Sequence, residues 1–206
     1  MTKLTSSRKP VRDRILEKAS ELFYKEGIQN VGIDRIISES GVAKMSLYNH
    51  FKSKDALIEA FLRQRGESWR AWFIETVAQH SSDPKERLLA IFDVLQLWFE
   101  APDFRGCAFI NATVELAKPN HPGYQAALEH QQAVYAYILD LAQATGITDP
   151  ELLARQFLLL VQGSIVVAMM EGNSIAAAQG KTVASGLLGN RESGVGSRES
   201  GSQKRE

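Results

Sequence analysis

In the first thirty residues the apolar positions Val11, Ile15, Ala19, Leu22 and Phe23 recur at three- and four-residue spacing. That period predicts an amphipathic helix over 10–26, with Pro10 suited to its first turn and Gly27 to its C-terminal cap. Ile33, Ile36 and Ile37 follow in "IDRIISES", a short helix over 33–40 stopped by Gly41. A second short helix is expected over 44–51, and its only buriable anchors are Leu47 and Phe51. Ser53 is a suitable N-cap for a long helix over 54–79, and Asp55 complements the dipole at its start.

The same pattern continues to the C-terminal region. "SDPKERLLAIFDVLQLWFE" carries Asp83 as a cap, Pro84 at the first turn, and Glu86 in capping-box register. "APDFRG" breaks that helix before a weaker one over 107–117, and "KPNHPG" is a turn cluster punctuated by Pro119 and Pro122. Helices are expected over 123–144, from Asp149-Pro150 to about residue 170, and over 174–188, the last weakened by Gly180 and Gly186. From residue 189 the chain turns Gly-, Ser- and charge-rich with Val195 as its one aliphatic residue, so 189–206 reads as a flexible tail. There is no alternating pattern of useful length and no convincing repeat. The fold class is all-α.

Composition adds little to this until it is divided. The 206 residues are 44% hydrophobic and 23% charged, as in ordinary soluble globular proteins. One cysteine, Cys107, excludes an intrachain disulfide framework. The N-terminal ten residues lack the apolar stretch of a secretory signal, and the apolar run over 157–170 is shorter than the roughly 20 residues of a membrane span. A cytoplasmic protein with no membrane association is the expectation. The formal net charge of zero conceals a split, because residues 1–65 hold 13 Lys and Arg against 8 Asp and Glu. That points to a polyanion partner for the N-terminal segment, with chance solvated charge as the plain alternative.

The two short helices around "SGVA" form a helix-turn-helix, whose second helix can enter the DNA major groove. With Leu47 and Phe51 facing the core, Met45 and Asn49 point directly away, Ser46, Tyr48 and Lys52 lie on the outward half, and Lys44 and His50 flank the core stripe. This face combines an amide and a hydroxyl for base edges with an apolar side chain for a thymine methyl. Tyr48, His50, Lys52 and Lys54 are phosphate-contact types, and the helix starting near Lys54 adds oriented backbone N–H groups. A solvated face over a three-helix core would show the same pattern.

At these residues the sequence resembles the TetR family of one-component transcriptional regulators. The resemblance lies in the amphipathic first helix ending at Gly27, the "IDRIISESGVAK" unit and "SLYNHFKSKDAL", and covers about 10–62 closely. It implies a homodimeric DNA-binding repressor released from its operator by a small ligand. It also implies that Lys44, Ser46, Tyr48, Asn49 and His50 lie in the recognition helix, with Lys54 at a phosphate-binding helix start. Two positions depart from the family pattern. Gly32 stands where a Ser or Thr often caps the second helix and touches phosphate, and Met45 replaces a frequent glycine. The DNA-binding candidates are therefore Lys44, Met45, Ser46, Tyr48, Asn49, His50 and Lys54.

The expected division is a DNA-binding domain over 1–54 and a ligand-binding and dimerisation domain over 55–188. The double-stranded operator is read by two copies, so a homodimer through the two C-terminal helices is expected, with Gly163, Ser164 and Ala168 allowing close approach. An ordinary central core helix is the alternative. Ligand-binding candidates are Phe92, Gln96, Phe99, Phe109, Asn111, His130 and Gln162, which would suit a largely apolar effector; each is also a plain core or surface residue by pattern. Cys107 reads as a small buried hydrophobe, or as an oxidation sensor beside Arg105. No HExxH, GxSxG or P-loop is present, and His50, His80, His121 and His130 lack ligand spacing. No catalytic residue, metal or cofactor is expected, although His121 could still converge with Glu129 or His130. The rival functions are a ligand-independent regulator or activator and an all-α enzyme.

Overall fold

Helix ends fall where turn-forming residues stand. The computed structural model describes residues 9–196, with side chains to Gly189. Its helices are α1 (Val11–Glu26), α2 (Ile33–Ser40), α3 (Lys44–His50), α4 (Lys54–His80), α5 (Pro84–Phe99), α6 (Ala108–Leu116), α7 (Pro122–Ala144), α8 (Pro150–Glu171) and α9 (Ile175–Gly196). No strand occurs among the described residues, so the fold is all-α. Gly41 closes α2 in the left-handed conformation (φ 62°, ψ 41°), which glycine adopts without steric cost, and its N–H donates back to Ile37 and Ser38. Ser53 Oγ accepts from the Ala56 N–H at the start of α4, as its position predicts.

The cap of α5 differs from expectation in one half. The Asp83 carboxylate accepts from Lys85 and Glu86 N–H, but the Asp83 N–H donates to Ser81 Oγ. The serine two residues earlier takes the place expected for Glu86.

The described residues form two packing units. One comprises the described residues up to Glu67 with Ala108–His130, and the other Ser68–Cys107 with the described residues from Gln131 to Gly196. This grouping differs from a linear cut at residue 54, because α6 and the first part of α7 pack with the N-terminal helices. Gln29 N–H donates to the Glu115 carboxylate at 2.9 Å, and Gln29 Nε2 to the Glu115 carbonyl at 3.2 Å. Arg63 pairs with Glu129, and His121 Nε2 lies 3.3 Å from Asp55. None of these contacts has a periodicity signature, which is why a boundary drawn from helix order misses them. In this first unit Ile15, Leu16, Ala19, Leu22, Phe23, Ile36, Leu47, Phe51 and Phe61 are buried. The apolar stripe of α1 starts at Ile15; Val11, expected to share it, is 37% exposed in the first turn.

The second unit is built on α5, α8 and α9, with Phe92 and Phe157 in ring contact at 6.0 Å. Gly180, expected to weaken α9, is required there. A Cβ at this position would stand 2.6 Å from Ser164 Oγ and 2.7 Å from the Phe92 ring. Ser164 and Ala168 are accordingly buried within the chain, whereas Gly163 faces open space. Of the three small residues expected at a dimer contact, only Gly163 is left on the surface. Helix α8 spans 22 residues, longer than its apolar run, and by length and composition alone could cross a membrane. Helix α9 continues to Gly196, beyond the expected end at 188, so 189–196 is helical; the remainder of the expected tail, 197–206, lies outside the described residues.

Candidate nucleic-acid interface

Helices α1, α2 and α3 pack on one another as a small head. Leu47 is fully buried and Phe51 nearly so, and these two anchors orient α3. Leu47 is the one buried position among the seven residues of α3, and Phe51 follows as its C-cap, so most of the helix faces outward. Met45 is 72% exposed and Tyr48 38%; Lys44, Asn49 and His50 are exposed and Ser46 is half-buried. Six of the seven DNA-binding candidates therefore lie on one helix, outside its buried position Leu47.

The seventh, Lys54, is placed differently. Its ammonium donates to the Ile28 carbonyl at 2.8 Å and lies 6.0 Å from the centre of the Phe23 ring. Burial lowers its pKa against the opposing carboxylates Asp55 and Glu115. One of its three N–H groups is thus committed to the head's own backbone.

Arg14 was not singled out in the sequence, yet it reaches from α1 to the turn. Its guanidinium donates to the Gly41 carbonyl at 3.0 Å and to the Ser40 carbonyl, supplying positive charge at the C-terminus of α2. It ties α1 to the turn that follows α2. No sequence period marks such a contact, since it joins residues 26 and 27 positions apart.

Several cations of residues 1–65 pair with carboxylates of the same segment, which leaves its excess of positive charge unchanged. Arg35 binds Glu26 and Glu39, Lys18 binds Glu21, and Lys9 binds Glu17. Arg35 holds the Glu26 carboxyl below the usual carboxylate range, and Lys18 does the same to Glu21. Lys44 pairs with Asp34 across 3.3 Å. Lys52 is exposed with no ion-pair partner among the described residues. Gly32 precedes α2 with extended backbone (φ −83°, ψ 154°) and no side-chain cap.

The ligand-binding candidates divide between the units. In the second unit Phe92 and Phe99 are buried, whereas Gln96 is exposed and donates to Glu100 at 2.9 Å; Gln162 on α8 is half-buried. In the first unit Phe109 stacks on His130 with ring centroids 3.6 Å apart, and Asn111 is half-buried on α6. An aromatic cluster that the sequence reading passed over surrounds Phe99: Trp98 and Phe104 lie 5.1 Å apart, Phe99 and Phe104 5.0 Å, Trp69 and Trp98 5.2 Å, and Trp69 stacks on Phe73 at 4.6 Å. The density of aromatics between 69 and 104 is the sequence signal that marks it.

His121, Glu129 and His130 face Asp55, Arg63 and Phe109 respectively, so the metal arrangement left open by the sequence is not formed. Among the described residues no group of three or more His, Cys, Asp or Glu is placed to hold a metal ion. Cys107, the single cysteine, is half-buried and packed against the core of the second unit.

Comparison with known proteins gives the head a context. Residues 15–61 match the family model described as bacterial regulatory proteins, tetR family, and residues 84–183 match the tetracyclin repressor-like C-terminal domain. The crystal structure of SCO4454, a TetR-family transcriptional regulator from Streptomyces coelicolor, is 31% identical over 88% of this chain and 95% of that one, with a TM-score of 0.81. A TetR-type transcriptional regulator from Streptomyces avermitilis is 30% identical over 86% and 99% of the two chains, with a TM-score of 0.74. The HTH-type transcriptional regulator YjdC of Escherichia coli is 23% identical over 75% of this chain and 81% of its own.

Proposed function

Because the chain belongs to the TetR family of DNA-binding transcriptional regulators, and is not an enzyme, we propose that it is a homodimeric, cytoplasmic repressor released from its operator by a small, largely apolar ligand. The observation that carries this reading is the open face of α3 above its two anchors, Leu47 and Phe51. Met45, Ser46 and Asn49 meet base edges, while Tyr48, His50 and the remaining N–H groups of Lys54 meet phosphate. Lys44 stands at the N-terminal end of α3, the end that reaches base edges in helix-turn-helix proteins.

Two copies associate through α8 and α9. In favour of this face are its exposed apolar side chains, Leu152, Leu159 and Met170 on α8 and Ile175 and Val183 on α9. The first three follow one another at helical spacing, and Gly163 lies between them with open space above it. Ligand binding then changes the separation of the two reading helices through α4, the helix that carries Lys54 at one end and Trp69 and Phe73 further along. The shift in operator affinity equals the ligand's preference for the displaced state. The aromatic cluster around Phe99 supports a planar apolar effector; Phe92, Phe109 and His130 are further candidates for contact with it, and Gln96, Asn111 and Gln162 are the polar candidates.

A panel of metabolites spanning chemical classes, added to the complex of protein and selected operator, tests the ligand-gated part. Release by a planar apolar compound, lost on Phe99→Ala, is the expected result. Retention of the operator against every class would leave a ligand-independent regulator.

A further inference from the structure

Asp34 is the second residue of α2, and its side chain is 87% exposed beside Lys44, the first residue of α3, itself 65% exposed. The ammonium stands 3.3 Å from the carboxylate. An ion pair this open contributes little to the fold. Its neighbour Arg35 offers Asp34 no compensation, since both of its ends are engaged by Glu26 and Glu39. Gly32, two residues earlier, has no side chain with which to approach phosphate. The N-terminal end of α2 thus presents one negative group to the surface that approaches a polyanion, and it does so against the amino group of a reading helix. A carboxylate here opposes binding to any phosphate, unless a base edge satisfies it.

The major groove offers one edge that matches such a pair. Cytosine presents the N4 amine as a donor, and its partner guanine presents O6 and N7 as acceptors. Carboxylates pair with the former and lysine with the latter. We propose that Asp34 and Lys44 act together as an acceptor–donor pair that reads one G·C base pair in each half-site. Asp34 accepts from cytosine N4 and keeps the Lys44 ammonium over guanine O6 and N7, away from the nearest phosphate. Nonspecific affinity is given up for discrimination. The inference rests on α3 being the reading helix, and it adds a specificity-determining residue contributed by α2.

Selection from randomised duplex DNA with the full-length protein tests it, using the parent, Asp34→Ala, Lys44→Ala, the double variant and Asn49→Ala. The parent is expected to enrich a G·C pair at a symmetric position. Asp34→Ala should lose about tenfold in discrimination at that position, within the range one good base contact supplies, and bind unrelated duplex several-fold more tightly. Lys44→Ala should lose the same position, and the double variant should lose no more there than either single one. Thermal melting of all four variants should match the parent, and Asn49→Ala should alter a different position. Retention of the G·C preference by Asp34→Ala, or additive losses in the double variant, would overturn the inference while leaving the reading helix in place. If Asn49→Ala also selects the parental sequence unchanged, the reading helix lies elsewhere and the inference falls with it.

Discussion

At Lys54 a single ammonium serves two purposes. It ties the α4 start to the loop after α1 through the Ile28 carbonyl, and its remaining N–H groups are free for a phosphate in the proposed complex. Lys54→Ala should therefore lower stability, by about 1–3 kcal/mol for a carbonyl left without its partner, and reduce the salt slope of DNA binding by about one. Chemical denaturation and a salt titration of binding separate the two effects. Gly32 offers the opposite experiment. Its extended backbone is that of an N-cap, and a Cβ there would meet nothing within 4 Å. Gly32→Ser should gain a few tenths of a kcal/mol in melting experiments, the usual difference between glycine and serine caps, and tighten operator binding through an added hydroxyl. The sequence made both residues visible by type and register. It did not reveal that Lys54 is half-spent on the head itself, because that bond depends on where Ile28 stands in space.

Among the helices, local signals marked the ends well and distant contacts poorly. Pro10, Gly41, Ser53, Asp83 and Asp149 stand at helix starts or stops because each satisfies a nearby backbone group or suits the backbone of the turn, and such chemistry is local. The outward face of α3 was equally legible from the period of Leu47 and Phe51. The clasp of Glu115 on Gln29, the Arg14 bridge to the Gly41 carbonyl and the Asp34–Lys44 pair join separate elements, and no single-helix pattern encodes them. The same limit explains Gly180. Read along the helix it costs propensity, but across the bundle it makes room for Ser164 and Phe92. Gly180→Ala should destabilise the α5–α8–α9 core by about 1–3 kcal/mol, the range for overpacking, as measured by denaturant midpoint. Gly163→Ala on the open side of α8 should not destabilise the single chain.

Taken whole, the molecule is a TetR-family regulator whose N-terminal head carries several internal ion pairs beneath a net positive charge. Those pairs have a pH consequence. Glu21, Glu26 and Glu129 are held below the ordinary carboxylate range by Lys18, Arg35 and Arg63. Their lowered values in the folded state mean that their stabilisation is present above about pH 4.5 and is lost as pH falls through those lowered values. Glu21 and Glu129 are exposed and Glu26 is only half-buried, so the effect is modest and screened by salt. Melting temperature should fall on acidification below that pH, less steeply in high salt, with calorimetry as the check. The central claim is that two copies of α3 read DNA, and its most direct measurement is sedimentation of the protein with a duplex selected from random sequence, over a range of salt. The account predicts chains bound in multiples of two on a palindromic site, with nanomolar affinity falling steeply as salt rises. Asn49→Ala should shift the preferred site. A single chain per duplex, or an Asn49→Ala protein that selects and binds the parental site unchanged, would contradict it.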